Sequence, residues 1–363
     1  MTGDSDHTGV PFLSPVTCHL SQFLPAAPGM RTIRRLGSKR TGFRYVDETG
    51  RPVRDRRTLD RIDRLRVPPA WTEVHIARSP TASIQAWGTD ARGRKQYRYH
   101  ARAVERGALR KFYRVRAMAK ELPRIRRRVD ADAASREPTR DAVAAAVVRL
   151  IGEGFFRPGS ERYTKENRTF GITTLRKSHV SVEGDCVFFR YVGKGSIRQR
   201  QCVSNHALAR LVRRHLETPG ARLFRYRAGR RWTDLSARDV NEYLRDRVGV
   251  PYSAKDFRTW GGTLRAATVL AELGPATSAT QAKRNVATAM RLVAAELGNT
   301  PTICRKSYVH PIVVGKYVDE GATIELPRRH RPGQDGIAHS PEERALVRFL
   351  DEHFPERRSA RRA

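Results

Sequence analysis

His179-Val180-Ser181-Val182, Cys186-Val187-Phe188-Phe189-Arg190-Tyr191-Val192 and Ile197-Arg198-Gln199-Arg200-Gln201-Cys202-Val203 are three short runs divided by two turn sequences. The first divider is Glu183-Gly184-Asp185 and the second Gly193-Lys194-Gly195-Ser196, so the stretch reads as a three-stranded antiparallel meander. Its surroundings read as helix. Upstream, Val143, Ala146, Val147 and Leu150 share one face of a helix over about Arg140 to Gly152. Downstream, Ser204 and Ser236 are expected N-caps for segments ending near Leu216 and Val248. Two longer helices are expected over 254–273 and 278–297, the second closed by Gly298, and Ser340-Pro341-Glu342-Glu343 opens a last short one.

Further towards the N-terminus the character changes. Residues 31–130 hold 29 Lys and Arg against 10 Asp and Glu, a charge of +19 (29 − 10). Gly42–Val46 alternates and runs into the turn Asp47-Glu48-Thr49-Gly50. Thr81 to Trp87 reads as a strand, Asp90–Arg94 as a basic turn, and Lys95–His100 as the returning strand. On that strand Gln96, Arg98 and His100 point one way and Tyr97 and Tyr99 the other. Ala101 to Leu122 is a very basic helical stretch that Pro123 should end or kink. The polar segment Asp130 to Arg140 then separates two modules. The expected division is a flexible extension over 1–30, a β-rich module over 31–130, a mainly helical one over 131–325, and a basic tail over 326–363 with one short helix.

Seventy-one Lys and Arg against 37 Asp and Glu give the 363-residue chain a net charge of +34 and a pI near 11.2. A field of that strength draws polyanions, because each cation placed on a phosphate releases a condensed counterion. No apolar run approaches the roughly 20 residues needed to span a bilayer. Residues 1–30 hold no Lys or Arg and so lack the positive flank of a secretory signal. Cys18, Cys186, Cys202 and Cys304 have no CxxC spacing and read as ordinary thiols, which points to the cytoplasm. No Cys/His cluster offers a zinc site, and no carboxylate cluster suggests a Mg²⁺-dependent nuclease.

Several polar residues sit where a core explanation is poor. Arg157 follows Phe155-Phe156 and precedes Pro158-Gly159, with Tyr163, Lys165, Glu166 and Asn167 close behind. Lys194 occupies the Gly-flanked hairpin tip, and Arg258 sits within Lys255-Asp256-Phe257-Arg258-Thr259-Trp260-Gly261-Gly262. Tyr308 closes the run from Asn299 to Lys306-Ser307-Tyr308. Singly, each has a plainer reading: the arginines as solvated charges, the hairpin lysine as a guard against aggregation, and Tyr308 as one tyrosine among 11. Gly193-Lys194 is not a phosphate-binding P-loop, which would need Gly at 188 and Ser or Thr at 195 where the chain has Phe188 and Gly195.

Together these segments, in order, resemble the poxvirus-like type IB DNA topoisomerases in their small bacterial form. The resemblance runs from about Arg31 to about Tyr317. It rests on Leu65-Arg66-Val67-Pro68-Pro69-Ala70-Trp71, on Gly93-Arg94-Lys95-Gln96-Tyr97-Arg98-Tyr99, on Arg157-Pro158-Gly159 through Tyr163-Thr164-Lys165-Glu166-Asn167 to Gly171-Ile172-Thr173-Thr174-Leu175, and on Lys255–Gly262. It implies an α+β fold of the tyrosine recombinase and type IB topoisomerase kind: a small β-rich N-terminal DNA-binding domain and a larger, mainly α-helical catalytic domain with a three-stranded antiparallel sheet, closing as a C-clamp around DNA. It implies relaxation of supercoiled DNA through a 3′-phosphotyrosyl intermediate, without metal, ATP or another cofactor. Tyr308 matches the nucleophile, Arg157 and Arg258 the clamp on the non-bridging oxygens, and Lys194 the acid that protonates the leaving 5′-oxygen. Asn299 stands where poxviral members have His, nine residues before the nucleophile; an amide can bind a phosphate oxygen but cannot carry a proton. Gln96, Tyr97 and Tyr99 correspond to a strand that meets the major groove, while Tyr163 and Lys255 are expected on phosphates near the scissile bond. The implied partner is double-stranded DNA, with no membrane, a monomeric state and no obligate protein partner.

Two other readings compete. A tyrosine recombinase uses the same Arg, Lys and Tyr chemistry, but usually carries His three residues before the second Arg, where Lys255 stands here. A basic packaging protein would bind DNA with no covalent chemistry at all.

Overall fold

The computed structural model describes residues 31–326 and 337–354, so the expected extension over 1–30, half of the tail, and Cys18 lie outside the described residues. The chain divides into two compact units at Arg110/Lys111.

In the first unit β1 (Thr32–Ser38), β2 (Gly42–Val46), β3 (Thr72–Ala77), β4 (Ile84–Thr89) and β5 (Lys95–Tyr99) form an antiparallel sheet ordered β2-β1-β3-β4-β5. Helix α1 (Arg56–Arg64) starts at Asp55, whose carboxylate accepts the Thr58 N–H. Ile62 of α1 packs with Ile33, Val74, Ile76 and Ala86 to make a small apolar core. Cross-strand register places Arg34, His75, Trp87 and Tyr97 in one row on the opposite face. His75 and Trp87 stack in that row with ring centroids 5.3 Å apart.

Helix α2 (Ala101–Ala133) runs through Pro123 instead of stopping at Leu122. A proline inside a helix leaves the carbonyl four residues back without its N–H partner, and that carbonyl is Ala119. The His339 Nε2–H fills the role at 2.6 Å. From Val115 to Val129 the helix buries its apolar face in the core of the second unit. The module boundary expected at 130/131 is thereby corrected to 110/111: the basic composition of 111–130 hides a stripe of Val115, Met118, Ala119, Leu122, Ile125 and Val129.

The second unit is mainly helical. Helix α3 (Arg140–Gly154) is almost wholly buried at its centre, and the short α4 (Glu161–Asn167) follows. The meander is present as β6 (Val180–Glu183), β7 (Cys186–Val192) and β8 (Arg198–Ser204), ordered β6-β7-β8. Val187, Phe189 and Tyr191 of β7 turn inward, while Arg190 lies exposed directly across from Arg200 on the outer face. Helix α5 (His206–Glu217) is capped by Asn205, not by the expected Ser204, which ends β8. A hairpin of β9 (Arg225–Ala228) and β10 (Arg231–Asp234) intervenes, and Ser236 caps α6 (Ala237–Glu242) as expected. Then come α7 (Ala254–Leu273), α8 (Ala279–Leu297), α9 (Pro301–Ser307), α10 (Pro311–Glu320) and α11 (Pro341–His353). Gly298 closes α8 in the left-handed region, and Ser340 with Glu343 forms a capping box on α11. Among the described residues no helix is long and apolar enough to cross a membrane, and Cys186, Cys202 and Cys304 are free thiols.

Candidate active site

Tyr308 ends α9, with its N–H on the Cys304 carbonyl at 2.9 Å. Its half-buried side chain lies beside Arg258, whose guanidinium carbon is 5.4 Å from the phenol ring centroid. Arg258 is 3% exposed, in the first third of α7. It donates to the Phe155 carbonyl and, at 2.9 Å, to the Leu297 carbonyl. Arg157 donates through Nη2 to the Gly298 carbonyl at 3.0 Å and to Asn299 Oδ1 at 2.6 Å. Both guanidiniums therefore rest on the last carbonyls of α8, the negative end of that helix. A cation pair that would repel in isolation is held together by this shared anionic seat.

The chain around Arg157 folds as it does for local reasons. Phe155 ends α3 with φ 50°, a left-handed conformation that costs a non-glycine residue on the order of 1 kcal/mol. This turn presents the Phe155 carbonyl to Arg258. The Phe155 ring fills the space over Gly261, where an added Cβ would meet it at 2.1 Å. Phe156 turns inward onto Phe189 of β7, ring centroids 4.7 Å apart. The Ile172 and Thr173 amides bind the Arg157 and Pro158 carbonyls, both at 2.8 Å, and a Cβ on Gly171 would strike the Arg157 carbonyl at 2.6 Å. The Arg157–Leu175 block is thus a pair of segments locked face to face. Gly171 permits the approach.

Lys194 sits at the turn between β7 and β8 with its side chain largely accessible. Crowding of its ammonium by protein atoms, then Arg157 and Lys255, hold its pKa below the ordinary lysine value against an opposing pull from Tyr308. Burial pushes the Tyr308 phenol up, but Arg258, Arg157 and Lys255, with a hydrogen bond from Arg258, outweigh it and bring the group below the usual tyrosine value. Tyr191 feels the same arginines from a more buried position, and burial drives it up to about 12. Burial, then Arg157, lower the Arg258 pKa, although a guanidinium remains charged at any physiological pH.

Of the expected site residues, Tyr308, Arg157, Arg258 and Asn299 come together in the second unit, electrostatically coupled to Lys194 and the exposed Lys255. Tyr163 lies half-buried on α4, six residues beyond Arg157. Gln96, Tyr97 and Tyr99 lie on β5 in the first unit. The two tyrosine rings stack 6.0 Å apart, and Tyr97, facing Trp87, turns away from the apolar core. Gln96 Nε2 donates to Asp90 at 2.8 Å, so a two-point contact with adenine requires it to release that carboxylate.

Four further contributors carry no signal in the sequence. Gln199 of β8 packs where a Cβ on Gly298 would sit, 2.2 Å from its Oε1, and so ties the Lys194 hairpin to the seat of Arg157. Gln201 donates to the Gly154 carbonyl at 2.9 Å, joining the same hairpin to the end of α3. Thr263 binds the Tyr308 carbonyl at 3.2 Å, and Lys111 the Ser307 carbonyl at 2.9 Å. Two donors in the site, Arg258 Nε and Asn299 Nδ2, are buried with no protein partner among the described residues. Those residues contain no group of three or more His, Cys, Asp or Glu able to hold a metal ion.

Residues 102–326 match the family model described as Eukaryotic DNA topoisomerase I, catalytic core, and residues 42–90 that of Bacterial DNA topoisomerase IB, N-terminal domain. The chain is 31% identical over 259 residues to DNA topoisomerase 1B of Acanthamoeba polyphaga mimivirus, covering 69% of this chain and 77% of the relative. It is 28% identical over 246 residues to DNA topoisomerase 1B of Vaccinia virus strain Copenhagen, covering 64% of this chain and 72% of the relative. The crystal structure of XerH site-specific recombinase bound to palindromic difH substrate is 16% identical with a TM-score of 0.35, covering 53% of this chain and 48% of that one; a likeness so slight carries no argument. The first match alone spans well over half the sequence: the chain belongs to the type IB DNA topoisomerases.

Proposed function

We propose that this topoisomerase relaxes supercoiled duplex DNA through a covalent bond between Tyr308 Oη and a DNA 3′-phosphate. In cleavage the phenolate oxygen attacks phosphorus, the bond from phosphorus to the 5′-oxygen breaks, and that oxygen takes a proton from the Lys194 ammonium. The free 5′-hydroxyl end swivels. In religation Lys194, now an amine, accepts the hydroxyl proton as the 5′-oxygen attacks, and Tyr308 departs as a phenolate stabilised by Arg258. The phosphodiester energy is retained in the tyrosyl ester, so no ATP is needed.

Charge accumulates on the non-bridging oxygens in the transition state. Arg157 and Arg258 are fixed beforehand on the carbonyls of Leu297 and Gly298, so they need not reorganise when it develops. The observation that carries the reading is a pair of buried donors in the site, Arg258 Nε and Asn299 Nδ2, that have no partner among the described residues. Buried N–H groups without acceptors are costly, and a phosphate would satisfy both. Gln96, Tyr97 and Tyr99 in the first unit, and Tyr163 and Lys255 in the second, supply contacts to the duplex, with the chain acting as a monomer in the cytoplasm.

The recombinase reading is less well supported. Lys255 stands where those enzymes usually have His, and α11 docks on its own chain through Arg126–Glu343 and Arg116–Asp351. The deciding experiment uses a supercoiled plasmid without recombination sites, in EDTA and without ATP. Relaxation of both positive and negative supercoils is expected, with a covalent protein–DNA adduct on denaturant trapping. A plasmid that stays supercoiled, or an absolute requirement for divalent metal, overturns the reading.

A further inference from the structure

The nucleophile's backbone is held by groups that belong to no part of the phosphate site. Thr263 lies 1% exposed on α7, five residues beyond Arg258. Its hydroxyl accepts the His310 N–H at 3.1 Å and shares its own proton between the Thr259 carbonyl at 2.8 Å and the Tyr308 carbonyl at 3.2 Å. Beside it, a Cβ on Gly262 would meet the Tyr308 carbonyl at 2.9 Å, so α7 and the nucleophile's main chain are in direct contact. Lys111 of α2 donates to the neighbouring Ser307 carbonyl at 2.9 Å.

His310, also 1% exposed, continues this seat. Its Nδ1 accepts the Ile312 N–H at 3.2 Å and so caps α10, which requires the proton on Nε2. That Nε2–H has no oxygen or nitrogen partner among the described residues. The ring is packed between Phe112 of α2 and Phe354, with centroids 4.6 and 4.5 Å away. Phe354 directly follows α11, and α11 is anchored independently: Glu343 accepts from Arg126 and, at 3.3 Å, from Trp260 Nε1, two residues past Arg258. This helix lies beyond residues 102–326, the segment that matches the catalytic core of the family.

We propose that Thr263 and His310 are positioning residues that set where the Tyr308 phenol stands, and that α11 closes their seat through Phe354. The proposal rests on Tyr308 being the nucleophile. A buried hydroxyl joining the carbonyl of one residue to the amide of the next but one fixes the peptide planes between them. The phenol is thereby aimed without any contact to its own oxygen. A displacement of about 1 Å at such a centre costs on the order of 10²-fold in rate, while DNA affinity, set by the many phosphate contacts, is untouched.

The test compares Thr263→Val, which keeps shape and loses the hydroxyl, with Thr263→Ser, which keeps the hydroxyl, and with Phe354→Ala. Single-turnover adduct formation and religation are followed at saturating full-length enzyme, alongside the dissociation constant for the same duplex. For Thr263→Val both rates should fall together by about tenfold or more, leaving the cleavage–religation equilibrium and the dissociation constant unchanged. Thr263→Ser should restore them, and Phe354→Ala should slow both rates several-fold. A folded Thr263→Val with wild-type rates, or one whose loss lies wholly in the dissociation constant, overturns the proposal. If Thr263→Val does not fold, Phe354→Ala decides alone, and wild-type rates there overturn it. Failure of wild-type enzyme to form any adduct at Tyr308 is a different result, which removes the nucleophile itself.

Discussion

Arg157 binds Asn299 by its amide oxygen, 2.6 Å from Nη2 to Oδ1, and this one contact determines what the amide can do. With the oxygen committed to a cation, the NH₂ group is the half left over, buried and without a partner among the described residues. Asn299 is thereby oriented as a donor to an oxyanion. Asn299→Ala should lower single-turnover adduct formation on the order of 10²-fold, as loss of one fixed donor does elsewhere. Asn299→Asp should be worse, because a carboxylate would pair with Arg157 and repel the phosphate. Equal rates for the Ala and Asp variants would show that the amide does not face the reacting phosphorus.

Two tyrosines feel the same guanidiniums with opposite results, and the proposed nucleophile is the one whose phenol is lowered. Tyr191 is buried in β7 and its phenol rises to about 12, whereas Tyr308 falls below the usual value. Tyr308→Phe should abolish the covalent adduct while leaving DNA affinity within about twofold, since one neutral hydroxyl adds little to a phosphate-dominated interface. Tyr191→Phe should still cleave. Peptide mapping of the trapped adduct checks both, and DNA attached to any peptide other than that of Tyr308 would reassign the role.

Lys194 and Tyr308 both titrate below their ordinary values, and their signs in the reaction are opposite. Cleavage needs Tyr308 without its proton and Lys194 with one. The rate should therefore rise as pH climbs through the lower apparent pKa of the coupled pair and fall as it passes the upper one. Lys194→Ala should be slow by several orders of magnitude on an ordinary phosphodiester. It should recover on a 5′-bridging phosphorothiolate, whose thiolate leaves unprotonated, and the alkaline fall should vanish with that substrate. A fall that persists with the phosphorothiolate belongs to another group.

Much of this was legible in the sequence, and the boundary has a physical cause. Strands β6 to β8 followed from Gly-containing turns three and four residues long, because such turns are local. Ser236, Gly298 and Ser340 marked helix ends for the same reason. Pro123 misled because the group that compensates it, His339, is 220 residues from Ala119. Arg157, Lys194, Arg258 and Tyr308 were found by resemblance. Composition or spacing would have left each as one more charge or phenol. Thr263 and Gln199 gave no signal, since a buried hydroxyl or amide gains its meaning only from the backbone it meets.

Gly261 tests whether Arg258 is held by its neighbours or merely placed near them. A methyl group there would lie 2.1 Å from the Phe155 ring, and Phe155 cannot yield easily: its backbone is already in the left-handed region and its carbonyl is bound to Arg258. Gly261→Ala should therefore push the end of α3 away, costing about 1–3 kcal/mol of stability as overpacking typically does. The displaced carbonyl would also free Arg258 Nη1, so adduct formation should fall further than the loss of folded protein explains. Pairing Gly261→Ala with Phe155→Leu, which removes the clashing ring edge, should return both stability and rate. Recovery of stability without rate would mean that the Phe155 ring, and not the position of its carbonyl, is what Arg258 depends on.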